Sequence, residues 1–81
     1  MSKKIIMNTI QKTIMLNNAL SGFSTNTSVV MNIMKKIKDK AEFNAIRQSF
    51  EQNYSTNLMI CLKKELTEQE FSDIKSYIDT L

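Results

Sequence analysis

The stretch Leu20-Ser21-Gly22-Phe23-Ser24-Thr25-Asn26 holds the only glycine of the chain and separates two long segments with helical apolar spacing. Glycine adopts a positive φ angle without steric cost, so it suits the position just past a helix end. Thr25 stands where the next helix needs a side-chain oxygen to cap its first free N–H groups. The stretch therefore predicts a helix end, a turn and a new helix start.

The composition indicates one small helical domain. The chain has 81 residues, no proline, no histidine, one cysteine and 42% apolar residues. Nothing in this composition interrupts long helices, and a single cysteine forms no internal disulfide. The usual zinc-site spacings cannot be built. No run of about 18 apolar residues occurs, so we expect no membrane span and a cytoplasmic location, or a place in a virion if a phage encodes the chain.

Apolar spacing and capping signals predict an all-α fold, a five-helix bundle in a single domain over residues 1–81. The predicted helices run from about Lys3 to Leu20, from Asn26 to Lys38, from Asp39 to Asn53, from Ser55 or Thr56 through a short fourth segment, and from Thr67 to Leu81. Asp39 with Glu42 and Thr67 with Glu70 have the spacing of capping boxes. Residues 1–12 are an N-terminal extension of the first helix.

The first predicted helix has two apolar faces, which one small domain can hardly cover together. Ile6, Met7, Ile10 and Ile14 share one side at 100° per residue, whereas Leu16, Ala19 and Leu20 lie on another side with Ile5. Either the helix breaks near Thr13, or its first half docks on something outside the domain. The second alternative makes Ile6, Met7, Ile10 and Ile14 a predicted partner-binding set.

Each later helix has one inner stripe. The predicted stripes are Val29, Val30, Ile33, Met34 and Ile37; then Phe43, Ile46 and Phe50; then Leu58, Cys61, Leu62 and Glu65; and finally Phe71, Ile74, Ile78 and Leu81. Glu65 is a carboxylate in line with apolar side chains, an unusual position that requires an explanation.

From about Thr13 to Leu81 the chain resembles a single annexin repeat. The resemblance rests on Ala19 to Asn26 against the family's loop pattern G-x-G-T-[D/N], and on the residues that follow in order: Val30, Ile33, Met34, Ile46, Phe50, Tyr54, Asn57, Leu58 and the run Lys64-Glu65-Leu66-Thr67. It implies five helices, with the third lying across a bundle of the other four.

The resemblance also implies a calcium ion in the loop between the first two helices. By position, its ligands would be the carbonyls of Leu20, Gly22 and Ser24 and the carboxylate of Glu65. Calcium takes six to eight hard oxygen ligands, which waters or lipid phosphate would complete. This sequence departs from the family pattern in two ways. Ser24 occupies the position of the family's second glycine, and the chain has one repeat where annexins bind membranes through several. The alternative is that Glu65 accepts hydrogen bonds from N–H groups of the loop and binds no metal.

Three functions are compatible with these features, and none is catalytic, because histidine and a phosphate-binding glycine loop are absent. We expect a structural or interaction module that docks on a protein partner or on copies of itself, with no cofactor and no small-molecule substrate. The rival is calcium-dependent binding to an acidic membrane surface. The third is nonspecific nucleic-acid backbone binding through Lys35, Lys36, Lys38 and Lys40, which is disfavoured because the chain has a single arginine.

Charge is divided unevenly along the chain. Residues 1–38 carry six lysines and no acid, and residues 39–81 carry five basic and eight acidic side chains, so the two parts have charges of +6 and −3. This division could steer one copy onto another or onto an anionic surface.

Overall fold

A computed structural model describes the backbone of residues 2–21 and 25–81, and the side chains of residues 9–21 and 25–81. This part of the chain forms five helices: α1 (Ser2–Leu20), α2 (Thr27–Lys35), α3 (Lys40–Tyr54), α4 (Leu58–Glu65) and α5 (Glu68–Asp79). The described residues form no strand. The predicted all-α, five-helix fold is therefore confirmed.

The core is built from one apolar stripe per helix. Its fully or nearly fully buried members are Leu16, Ala19, Leu20, Val30, Ile33, Met34, Ile37, Phe43, Ile46, Phe50, Leu58, Leu62, Leu66, Ile74 and Ile78. These positions follow the helical spacing in the sequence, because each helix buries one side against its neighbours. Val29, Cys61, Phe71 and Leu81 are half-buried at the margin of this core.

α1 is one continuous helix from Ser2 to Leu20, so of the two alternatives for its two apolar faces the break near Thr13 is wrong. Thr13 is buried, and its hydroxyl donates to the carbonyl oxygen of Thr9 at 2.7 Å. This bond satisfies the hydroxyl within the helix, so a polar residue on the inner side needs no interruption of the backbone. Of the two apolar faces, the one with Leu16, Ala19 and Leu20 is the buried face.

Helix α2 begins and ends inside its predicted bounds. Asn26, not Thr25, is the N-cap, with its side chain accepting from the N–H of Val29 at 3.5 Å. The Thr25 hydroxyl is engaged with Glu65 instead. At the other end, the helix stops at Lys35, since the following turn buries Ile37 and lets its carbonyl accept from the Tyr77 hydroxyl at 2.6 Å.

The connection between α3 and α4 also differs from the prediction. Ser55 does not start α4; it ends α3 in the left-handed conformation, with φ of 54°. Asn57 is the N-cap of α4, and its side-chain oxygen accepts from the N–H of Ile60 at 3.0 Å. The predicted caps at Asp39 and Thr67 are confirmed, and Thr67 and Glu70 form the full reciprocal capping box.

α1 organises the packing. It contacts α3 and α2 most extensively and α4 less, while α5 packs on α2 and α4. The molecule measures 36 × 28 × 20 Å along its principal axes. None of the described helices combines the length and the apolar character needed to cross a bilayer.

Candidate functional site

The α1–α2 connection is the first candidate site, because Glu65 reaches it from α4. The hydroxyl of Thr25 donates to Oε1 of Glu65 at 2.8 Å, across forty positions of sequence. Glu65 is half-buried, so this hydrogen bond satisfies one oxygen of a carboxylate at the edge of the core. The contact ties the start of α2 to the end of α4.

The predicted calcium ligands are only partly within the described residues. Leu20 ends α1 with its side chain buried in the core, and the neighbouring Ala19 carbonyl accepts from the N–H of Asn26 at 2.9 Å. Gly22 and Ser24 lie outside the described residues. No three Asp, Glu or Cys side chains cluster in the described part of the chain. Of the four predicted ligands, the structure therefore describes Leu20 and Glu65.

The exposed side of α1 is the second candidate site. Over residues 9–21 its exposed positions are Ile10, Gln11, Ile14, Met15, Asn18 and Ser21, which we call the uncharged face. Ile10, Ile14 and Met15 expose 43%, 46% and 49% of their surface. Of the predicted partner-binding set, Ile10 and Ile14 therefore lie side by side at the surface, one helical turn apart. The side chains of Ile6 and Met7 lie outside the described residues.

Two shallow grooves flank the uncharged face. The α1–α3 groove, of about 270 Å³, is lined by Ile10, Thr13, Ile14, Ser49, Asn53 and Tyr54. The α1–α2 groove, of about 250 Å³, is lined by Met15, Asn18, Ala19, Asn26 and Val29. α1 thus presents an apolar ridge between two concavities. All eleven lining residues are uncharged, whereas 23% of the chain is Asp, Glu, Lys or Arg.

Comparisons with known proteins identify no relative of this chain. No family model, curated protein or solved structure gives a significant match to this chain. Its function has to be inferred from its own residues.

The lysine near the uncharged face is neutralised within the molecule. Nζ of Lys12 lies 2.7 Å from Oε2 of Glu42 on α3, and the side chains of this pair are 18% and 14% exposed. The other oxygen of Glu42 accepts from the N–H of Lys38 at 2.7 Å. Burial raises the pKa of Glu42, but the hydrogen bonds from Lys12 and Lys38 together with the charges of both lysines outweigh it and lower this pKa below its ordinary value.

Lysines of the basic segment from Lys35 to Lys40 lie beside the C-terminal ends of α2 and α5. Nζ of Lys40 donates to the carbonyl oxygen of Ile78 at 3.0 Å, next to the end of α5. Lys35 lies in the last turn of α2, and Lys36 is its C-cap. Cations near helix C-termini are stabilised by the negative end of the helix dipole. The cluster considered for nucleic acid thus lies at two helix ends.

Cys61 does not resemble an activated nucleophile. It is half-buried at the margin of the core. Burial, followed by the nearby Glu65 carboxylate, raises the pKa of its thiol, and Lys64 acts only in the opposite direction. A thiol with a raised pKa holds less of the reactive thiolate at neutral pH.

Sequence reasoning missed several of these features. The Lys12–Glu42 ion pair, the Tyr77–Ile37 hydrogen bond and the two grooves join residues that are distant in sequence. The scarcity of charge over residues 9–21 could be seen in the sequence, because Lys12 is the only charged residue there.

Proposed function

We propose that this chain is a non-catalytic interaction module that docks, through the uncharged face of α1, on a protein surface made of apolar and amide side chains. The observation that carries the proposal is the cluster of Ile10, Ile14 and Met15, each exposing nearly half of its surface between two uncharged grooves. Isolated exposed apolar side chains are common, but a contiguous group beside a concavity is typical of an interaction site.

The rest of the molecule supports a non-catalytic role. The chain has no histidine, and its one thiol is shifted away from the reactive form. Its surface carboxylates include helix-cap and first-turn residues of α3 and α5. We place the module in the cytoplasm or, if a phage encodes it, in a virion.

Site-specific photocrosslinking in cells that produce the protein tests this proposal. A photoreactive amino acid replaces Gln11 on the uncharged face, and Gln69 on α5 is the matched control position, because both glutamines are exposed. We expect a covalent adduct from position 11 that disappears when Ile14→Glu is added. No adduct at position 11, or equal adducts at both positions, would contradict an interaction role for α1.

Calcium-dependent binding of acidic phospholipid is the second candidate, in line with the resemblance to an annexin repeat. The observation that favours it is the Thr25–Glu65 hydrogen bond, which places a carboxylate at the α1–α2 connection. Isothermal titration with calcium, with and without anionic vesicles, tests it. Heat that is lost in Glu65→Gln supports the calcium site. If no heat of binding is measured under either condition, Glu65 has a structural role and binds no calcium.

A further inference from the structure

Met15 is the most exposed methionine among those whose side chains the structure describes. It exposes 49% of its surface on α1. Met34 is fully buried, and Met31 and Met59 are half-buried against the core. A thioether is oxidised only where the oxidant reaches the sulfur atom, so exposure decides which methionine reacts first. Met15 is therefore the expected site of oxidation in the folded protein.

The reaction of Met15 with a peroxide is an oxygen transfer. A lone pair of Sδ attacks one oxygen of hydrogen peroxide, the O–O bond breaks and an S–O bond forms. The proton of the transferred hydroxyl moves to the leaving oxygen, which departs as water. Sulfur is oxidised by two electrons, the peroxide is reduced, and the product is methionine sulfoxide.

The surroundings of Met15 suit the sulfoxide. Met15 lines the α1–α2 groove together with Asn18, Ala19, Asn26 and Val29. The new oxygen is a hydrogen-bond acceptor, and each asparagine amide carries two N–H donors. Asn18 is exposed and lies three residues after Met15, on the same side of α1. The groove therefore offers donors to a sulfoxide at this position.

Oxidation at Met15 changes the surface and spares the core. A sulfoxide at the fully buried Met34 would place a new polar group among apolar side chains, which destabilises a fold. At Met15 the added oxygen stays in contact with water, because about half of this side chain is exposed. The packing thus directs oxidation to a position where the chain tolerates it.

The same oxidation removes apolar surface from the uncharged face. Ile10, Ile14 and Met15 are the exposed apolar residues of this face. Methionine sulfoxide is polar, so a partner that packs on it loses an apolar contact and has to remove water from the S–O group. Docking on apolar side chains is therefore weaker in the oxidised chain.

We propose that Met15 is a redox-sensitive site, at which a peroxide makes the uncharged face more polar without unfolding the chain, so that the oxidised face docks less well. The first half of this inference concerns the chain alone. The second half rests on the proposed interaction role.

Peptide mass spectrometry of the purified full chain during exposure to hydrogen peroxide tests the first half. Met15 sulfoxide should form roughly tenfold or more faster than Met34 sulfoxide, and also faster than the sulfoxides of Met31 and Met59. The control is the same chain in urea, where all four methionines should react at similar rates. Circular dichroism should show unchanged helix content once Met15 is oxidised. Equal rates in the folded chain, or loss of helix on oxidation of Met15, would overturn the inference.

Photocrosslinking from position 11, with and without hydrogen peroxide, tests the second half. The matched control is Met15→Leu, because leucine keeps an apolar side chain of similar size without sulfur. We expect peroxide to abolish the adduct in the full chain and to leave it unchanged in Met15→Leu. Methionine sulfoxide reductases should restore the adduct. Cys61 is present in both chains, so oxidation of its thiol cannot explain a difference between them.

The two measurements separate failure of this inference from failure of the proposed function. An adduct that persists after Met15 is oxidised, or one that is lost equally in Met15→Leu, overturns the effect on docking and leaves the interaction role standing. If position 11 gives no adduct without peroxide, the effect on docking fails together with the proposed function. The mass spectra then still decide whether Met15 is the oxidation site.

Discussion

Ser55 shows how one residue can hold a helix end at a cost in stability. It ends α3 with φ of 54°, a conformation in which the Cβ atom of a non-glycine residue is crowded. Ser55→Gly should therefore raise the free energy of unfolding by about 0.5–1 kcal/mol, since glycine adopts this conformation without that cost. Urea denaturation followed by circular dichroism measures the change.

The control for this prediction is a serine inside a helix. Ser72 is exposed within α5, where glycine costs conformational entropy and gains nothing. Ser72→Gly should lower stability by about 0.5 kcal/mol, the opposite sign. Equal losses in both variants would show that the left-handed residue carries no strain.

Glu42 makes stability depend on pH. Its pKa is lowered in the folded state by hydrogen bonds from Lys12 and Lys38 and by the charges of these lysines, although burial acts the other way. A carboxylate with a lowered folded pKa contributes stability above its unfolded pKa and loses it as pH falls through the folded pKa. Glu42→Gln should lower stability by about 1–2 kcal/mol at neutral pH and much less in acid.

The measurement is urea unfolding across pH 7 down to acid pH, at a protein concentration held constant. Glu68→Gln is the control, because Glu68 is exposed in the first turn of α5. A loss in Glu42→Gln that is the same at neutral and acid pH would mean that the ion pair contributes packing alone.

At the scale of the helices, hydrogen bonds join the last turns of α5 to the turn between α2 and α3. The Tyr77 hydroxyl donates to the carbonyl of Ile37 at 2.6 Å, and Lys40 donates to the carbonyl of Ile78 at 3.0 Å. Tyr77→Phe removes the first bond and leaves a buried carbonyl without that donor. We expect a loss of about 1 kcal/mol, measured by thermal and urea unfolding.

Tyr54 provides the matched tyrosine. It is half-buried at the end of α3, and its ring packs 5.2 Å from that of Phe50, while its hydroxyl forms no hydrogen bond seen among the described residues. Tyr54→Phe should change stability little. If both substitutions cost the same, the hydrogen bond to Ile37 contributes nothing specific.

The helices themselves could be predicted from sequence, but not all of their ends. Periodic apolar residues and the Thr67 capping box are local signals, so α3 and α5 were placed nearly to the residue. The predicted N-cap of α2, Thr25, was wrong because two adjacent residues can each supply a capping oxygen. A tertiary contact decides between them: Glu65 takes the Thr25 hydroxyl, and Asn26 becomes the cap.

For the whole molecule, sequence reasoning found the surface without finding its shape. Two apolar faces on α1 predicted that one would stay uncovered, and Ile10 and Ile14 do lie exposed. The grooves depend on how α3 and α2 pack beside α1, and contacts such as Lys12 with Glu42 span thirty residues. Local periodicity contains no information on such pairings. The charge division between the two parts of the chain is partly cancelled by this same ion pair.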